Sequence, residues 1–442
     1  RHADGTYGGN STYGANNPVA LLESTGNCRL TFGTLLANAT LKQELNVVLK
    51  GLSAEVSIAF DNSGSMYDTA VKEYKYMDAQ ASMLTDGTLV TTPITYGKNS
   101  ETLNHGNSRF NSLYIRSNIQ AKINYLMKRE AHDLNASLIY EQQSYTANVR
   151  NNGSKRQSGL LYATYMYDNR YALNGVLNYS GTAYLPEGDR FRLYPAVSAA
   201  WIISNEKFLK NVEALNQLRL YASYGVSGWD GNMQHELYRQ SYGSTNGGTY
   251  YFTDNAGEYY GLAEGALPVE NLTTEKIKKV TYGMEANIFN NRLSLYLEGF
   301  YERRSDILIN GSSSVSGIIG IGVGKLNAGI TDYKGFDASL AWKDRIGKNF
   351  GYSIGTNLSY LNTKIIRDGQ EYQQYDYLYT QGNRVGQRYG LEVIGFFHDQ
   401  TEINNSPVQT FSTIRPGDIK YKDQNGDNKI DEQDIVKMFG SD

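Results

Sequence analysis

Apolar and polar residues alternate with a period of two along most of this chain. From Leu113, the positions Leu113, Ile115, Ile119, Ala121, Ile123, Tyr125 and Met127 interleave with Arg116, Asn118, Gln120, Lys122 and Asn124. The rhythm returns around Leu138, Leu177, Leu220, Met284, Leu295, Leu340 and Leu358. Successive side chains of a strand point to opposite faces, so each segment carries one apolar and one polar flank. The runs extend roughly ten to fifteen residues, against ~5–6 for an ordinary soluble strand and ~9–11 for a tilted strand crossing a bilayer. Long strands, apolar outside and polar inside, predict an all-β architecture: an antiparallel transmembrane β-barrel portion of about a dozen strands.

The connections fit that reading. Short turns at 128–132, 168–170, 290–291 and 344–348 alternate with longer loops near 148–156, 186–192, 227–274, 310–331 and from 367 onward. Barrels of the outer membrane have short periplasmic turns and long extracellular loops. The stretch Ser204–Asn216 predicts a small helix on the short-turn side, and 62–110 is either one long loop or contains a further hairpin.

Composition removes several alternatives. The 442 residues hold 42 Lys+Arg against 45 Asp+Glu, a net charge of −3, so there is no bulk positive field for nucleic acid. The one cysteine, Cys28, has no internal disulfide partner. No apolar run approaches the ~20 residues of a membrane helix. The 37 Tyr and 45 Gly beside only 7 Pro suit strands and turns.

The most specific chemical pattern lies at 423–434. Asp423, Asn425 and Asp427 occupy positions 1, 3 and 5 of a calcium-loop spacing, Lys429 offers its carbonyl at 7, Asp431 stands at 9 and Asp434 at 12. Ca²⁺ takes six to eight hard oxygens, which this spacing supplies from one short loop. Two residues depart from the pattern: Asn428 replaces glycine at position 6, and Asp434 replaces glutamate at 12. Asn tolerates positive φ better than most residues. The expectation is a structural Ca²⁺; the plainer reading is a solvated acidic turn.

Other motifs carry less. Asp61-x-Ser63-x-Ser65 with Thr85-Asp86-Gly87 mimics an adhesion-type metal motif, but about twenty residues between them cannot hold the βα units that motif needs. DNSGS reads instead as a strand-end turn. Gly317–Gly324 has G-x-G spacing without a following Lys-Ser/Thr or helical pattern, so a flexible loop is expected there in place of a phosphate site. The five histidines show no ligand spacing, and no nucleophile–base–acid arrangement emerges, so no enzyme is expected. Aromatics crowd the 227–274 loop: Trp229, Tyr238, Tyr242, Tyr250, Tyr251, Tyr259 and Tyr260. Their flat faces and polar handles suit stacking on a sugar or peptide side chain, or packing among loops.

Several phrases together are similar to one family: NRYALNGVLNYSG (169–181), YPAVSAAWIISNEKFLK (194–210), LRLYASYGVSG (218–228), NNRLSLYLEGFY (290–301), GFDASL (335–340) and PGDIKYKDQNGDNKIDEQD (416–434). With LKGLSAEVSIAF (49–60) they resemble the SusC/RagA-type TonB-dependent transporters of Bacteroidetes outer membranes. That resemblance implies a large, 22-stranded barrel with an N-terminal plug, importing oligosaccharides (glycans) or peptides under a SusD-like surface lipoprotein. Residues 1–442 are then expected to be a partial barrel without the plug that contacts TonB and without the last strands, with 416–434 as an extracellular calcium-loop-like segment. Outer-membrane lipid would meet the apolar flank. Arg116, Asn118, Gln120, Lys122, Asn174, Asn178, Arg292 and Glu298 would line the lumen or meet the plug. The competing readings are a passive porin or adhesin, and a soluble glycan-binding β protein.

Overall fold

The computed structural model describes residues 1–2, 4–10, 12, 16–147, 153–209, 212–250, 259–311, 318, 320 and 322–438. Twelve strands form its main sheet: β1 (Gly26–Glu44), β2 (Leu52–Val71), β3 (Asn104–Arg129), β4 (His132–Ala147), β5 (Gly153–Tyr167), β6 (Tyr171–Thr182), β7 (Phe191–Ile202), β8 (Leu215–Trp229), β9 (Glu275–Ile288), β10 (Leu293–Asn310), β11 (Lys325–Ile346) and β12 (Phe350–Arg367). Each pairs with its neighbours in chain order, so the sheet is an unbroken meander with β1 and β12 at its edges. The pairings β5–β6, β6–β7, β7–β8 and β8 through β12 are antiparallel.

The turns follow from residues that accept positive φ. Asp168 and Asn169 both lie at φ 51°, and Asn290 and Asn291 at 57° and 62°. Consecutive left-handed residues give the hairpin twist that matches the strands, and Asn and Asp pay least for it. The segment after β7 corrects one expectation: a 3₁₀ turn covers Ile203–Asn205 and hydrogen-bonded turns follow, with no α-helix among the described residues of 204–216.

The register sorts the side chains into two faces. One ladder row joins Asn174 to Ser198, Ser223 and Thr281; the next outward-facing row joins Leu173 to Ala199, Ala222 and Tyr282. Among the described residues no second layer covers the apolar face. Leu173, Leu193, Val197, Ile354 and Leu358 are 51 %, 56 %, 48 %, 70 % and 59 % exposed. A soluble sandwich buries such residues at the inter-sheet core, so this face belongs against hydrocarbon.

The contacts divide the chain into two units. One comprises 1–41, 57–119 and 142–155, the other 42–56, 120–141 and 156–442. In the first, Tyr7–Gly8 pairs in parallel with Tyr76–Met83, which pairs with Leu89–Tyr96, so 62–110 does contain a hairpin. A chain of rings, Tyr7–Tyr74–Tyr76–Tyr96, packs at centroid distances of 5.4, 6.2 and 5.3 Å. Asp61–Ser65 corrects a second expectation: it runs extended inside β2 instead of ending it, and buried Ser65 meets Ser112 at 2.7 Å. The second unit carries the rest of the long strands and, at 368–438, short strand pairs around a helix at Gln400–Asn404.

Candidate functional site

The polar face of β6–β11 and the loops at its long-loop end make the candidate site. Alternation places Asn174, Ser198, Ser223 and Thr281 side by side, and they are joined laterally: Asn174 Nδ2 donates to Ser198 Oγ at 3.0 Å, and the Ser223 and Thr281 hydroxyls meet at 2.5 Å. Toward the turn end, Arg219 reaches both oxygens of Glu285 at 3.1 Å. Between these rows, the Tyr221 and Tyr296 hydroxyls donate to Glu298 Oε2 at 2.6 and 2.9 Å. Toward the loops stand Lys279, Glu302 and Arg304, with Arg304 Nε on Glu302 at 2.7 Å and its guanidinium 4.7 Å above the Tyr333 ring. A groove of about 540 Å³ runs along this face past Asn174, Ser223, Lys279 and Arg304.

Several polar atoms here are buried without a partner among the described residues: Asn174 Oδ1, Asn178 Oδ1 and Arg192 Nε. Buried polar atoms are normally hydrogen-bonded, because desolvating one without compensation is costly. The chemistry of this face is hydrogen bonding and ion pairing.

At the loop end, apolar burial of the ordinary kind appears. Leu185, Met233, Val269 and Leu272 form a cluster covered by Tyr184, Leu237, Tyr238 and Leu308. Asp230, 7 % exposed, accepts from Arg156 Nε at 3.0 Å and forms an ion pair with its Nη2. Tyr194 bonds Thr274 at 2.9 Å, and Asn327 clamps Thr273 through its backbone N and O at 3.0 and 2.9 Å. These ties hold both ends of the 230–274 segment to β5, β7 and β11.

The aromatic set anticipated for ligand contact is dispersed by this arrangement. Tyr238 belongs to the cluster, with Arg239 5.6 Å over its ring. Trp229 ends β8 with its indole so near Gly231 that a Cβ there would collide. Tyr242 is 62 % exposed at the start of the Tyr242–Tyr250 strand, which pairs with Tyr259–Glu264. Tyr250, Tyr259 and Tyr260 are placed by backbone pairing alone, and Tyr251 lies outside the described residues. Tyr184, Tyr194, Arg156 and Asp230 went unnoticed in the sequence. Nothing local distinguishes them, since their partners lie up to 80 residues away.

The 423–434 loop has a defined geometry. Asp423 accepts from Gly426 N at 2.7 Å and Asn428 N at 2.9 Å, Asn425 from Asp427 N at 3.0 Å, and Asp427 from Lys429 N at 2.8 Å. Asp431 accepts from Gln433 N at 2.8 Å; fully buried Asp434 accepts from Gln424 N and Asp431 N at 2.7 and 2.9 Å. Asn428 sits at φ 64°, as position 6 requires. Among the described residues no group of three or more His, Cys, Asp or Glu is gathered tightly enough to hold a metal ion. The carboxylates of this loop instead accept hydrogen bonds from its own backbone N–H groups.

No family model matches the chain. It is 29 % identical over 284 residues to the TonB-dependent receptor P26 of Formosa agariphila, covering 62 % of this chain and 28 % of that protein. To the TonB-dependent receptor SusC of Bacteroides thetaiotaomicron it is 22 % identical over 314 residues, covering 67 % and 30 %. The matches thus span less than a third of these relatives. In fold it is similar to the RagAB peptide importer in its open-open state, with TM-score 0.65 and 16 % identity over 92 % of this chain and 44 % of that one. In sequence, then, this chain is similar to part of the TonB-dependent receptors of the SusC type, and its twelve-stranded sheet is similar in fold to part of the outer-membrane barrel of the RagAB importer.

Proposed function

We propose that this chain contributes barrel wall and outer loops to an energised importer of oligosaccharides or peptides. The observation that carries the reading is the two-sided sheet: an exposed apolar flank fits lipid, while the opposite flank presents unpaired amide oxygens and charged rows. Those oxygens suit the backbone N–H groups of a plug, through which TonB acts, and the rows beyond them suit a polar cargo. A SusD-like lipoprotein would close the loop end. One related protein is named for peptides; nothing on this face selects peptide over glycan, because hydroxyls, amides and paired charges bind both.

The test is uptake by cells carrying the intact transporter, with and without a working TonB. Loss of saturable uptake of labelled oligosaccharides or peptides without TonB is expected, and the class whose uptake is lost names the cargo. Equal uptake in both strains would establish a passive pore instead.

We propose further that loop 423–434 takes one structural Ca²⁺ at extracellular, ~10⁻⁴–10⁻³ M affinity. Asn428 at φ 64° supports this. Chelation is expected to speed proteolysis within 368–438, with calcium restoring resistance and magnesium not; indifference to chelation would leave a self-satisfied turn.

A further inference from the structure

On the lipid side of β9–β12, the apolar band ends in aromatic rings and then in cations. Tyr282, Tyr301, Phe336 and Tyr360 are 62 %, 40 %, 43 % and 48 % exposed, with Phe336 and Tyr360 stacked at 5.8 Å. One or two ladder rows toward the loops come exposed Lys278, Arg303, Lys334 and Lys364. The register makes Lys278 face Arg303, Arg303 face Asp332, and Asp332 face Lys364, with Lys334 facing Tyr301. Lys334 lies one row below its neighbours on the strands to either side.

Height supports the placement. From Leu293 to Arg303 a strand tilted by ~40° climbs about 25 Å, the thickness of the apolar band of such barrels. The cations therefore stand at headgroup level. Asp332 is taken by Arg303 through two 2.7 Å bonds. Four cations against one carboxylate leave a surplus of three positive charges, and among the described residues Lys278, Lys334 and Lys364 have no ion-pair partner. At the turn end of the same strands the outward charge, Asp344, is paired with Arg292 at 3.3 Å. The surplus is confined to one leaflet.

We propose that Lys278, Arg303, Lys334 and Lys364 form a docking surface for phosphate-bearing lipid headgroups of the outer leaflet. Adjacent strands ~4.8 Å apart spread these cations over about 15 Å, wide enough for one large anionic headgroup, while the rings below accept its chains. This rests on the barrel reading above. The partner is a lipid, since charge and apolar contact are presented together; a free phosphate would gain nothing from the rings.

The test uses the intact transporter purified from its own outer membrane, as wild type, as K278Q/K334Q/K364Q and as K278R/K334R/K364R. Native mass spectrometry is expected to show anionic lipid retained by wild type and the arginine variant, and at least about tenfold less by the glutamine variant. Added phosphatidylglycerol should raise Tm more for wild type than for the glutamine variant, phosphatidylcholine should affect both alike, and inorganic phosphate neither. Equal lipid retention by all three, or an equal Tm gain from inorganic phosphate, overturns the proposal while leaving the barrel intact. Recovery of folded wild type from the soluble fraction would overturn both.

Discussion

The lipid-facing flank of β6–β12 and the cluster under the 230–274 segment use the same residue types to opposite ends. On the flank, Leu173, Leu193 and Leu358 remain more than half exposed; in the cluster, Leu185 is 0 % and Leu272 3 % exposed. The difference is the solvent each is built for. The sheet satisfies its backbone through ladders and leaves its apolar side chains for hydrocarbon, where no hydrophobic drive gathers them. The loops stand in water, where apolar area must be removed from solvent to hold a fold.

That contrast can be broken from either side. The largest effect is expected at the cluster: Leu185→Ala should cost about 2.5–5 kcal/mol of local stability by losing contacts and leaving a cavity. Limited proteolysis of the intact protein should then cut 230–274 much faster while the barrel stays folded. Collapse of the whole barrel would show that the cluster is no separate unit. On the flank, Leu297→Arg should cost about 2–4 kcal/mol when folding is titrated in lipid vesicles, because the position lies near the middle of the apolar band. Ser339→Arg, on the polar face, should cost well under half of that, and equal losses would mean that the faces are assigned wrongly.

A smaller effect is expected from Asp230→Asn, which leaves Arg156 without its charge partner beside a buried amide. About 1–3 kcal/mol of loop stability should go, read as faster hydrogen exchange in 230–239. The smallest lies in 368–438. The His398 backbone N–H and Lys420 hold the Glu402 carboxyl below its ordinary range, and Gln424 and Lys422 do the same for Glu392. A depressed folded pKa gives stability that is present above the unfolded value and lost as pH falls through the lower folded one. Protection of 392–422 from exchange should therefore be unchanged from pH 7 to about 5 and weaken below about 4. A loss that begins near pH 6 would point to a different group.

Much of the sheet was legible in the sequence because strand periodicity is local: Leu173 and Asn174 announce opposite faces by adjacency alone. The hairpin turns at Asp168–Asn169 and Asn290–Asn291 were legible for the same reason, since their φ preferences belong to the residues themselves. Where local signals misled, pairing had overruled them. Turn-rich Asp61–Ser65 runs straight because β2 has partners on both sides, and the helix-like 204–216 closes as turns because Glu206 is captured by Tyr171 and Trp201 at 2.5 and 3.1 Å.

The candidate site divides along the same line. The inward polar residues Asn174, Asn178 and Glu298 could be read from alternation. The loop aromatics could not be grouped, because proximity among Trp229, Tyr238 and Tyr242 depends on how a 45-residue excursion from 230 to 274 folds back.

The chain itself determined the strand rhythm, the two faces and the turns, since each depends on residues within a few positions of one another. Only tertiary structure decided that the apolar face stays uncovered, that Asp230 meets Arg156, and that Lys278, Arg303, Lys334 and Lys364 share one rim. Those facts rest on register between strands distant in sequence, which long-range pairing alone sets.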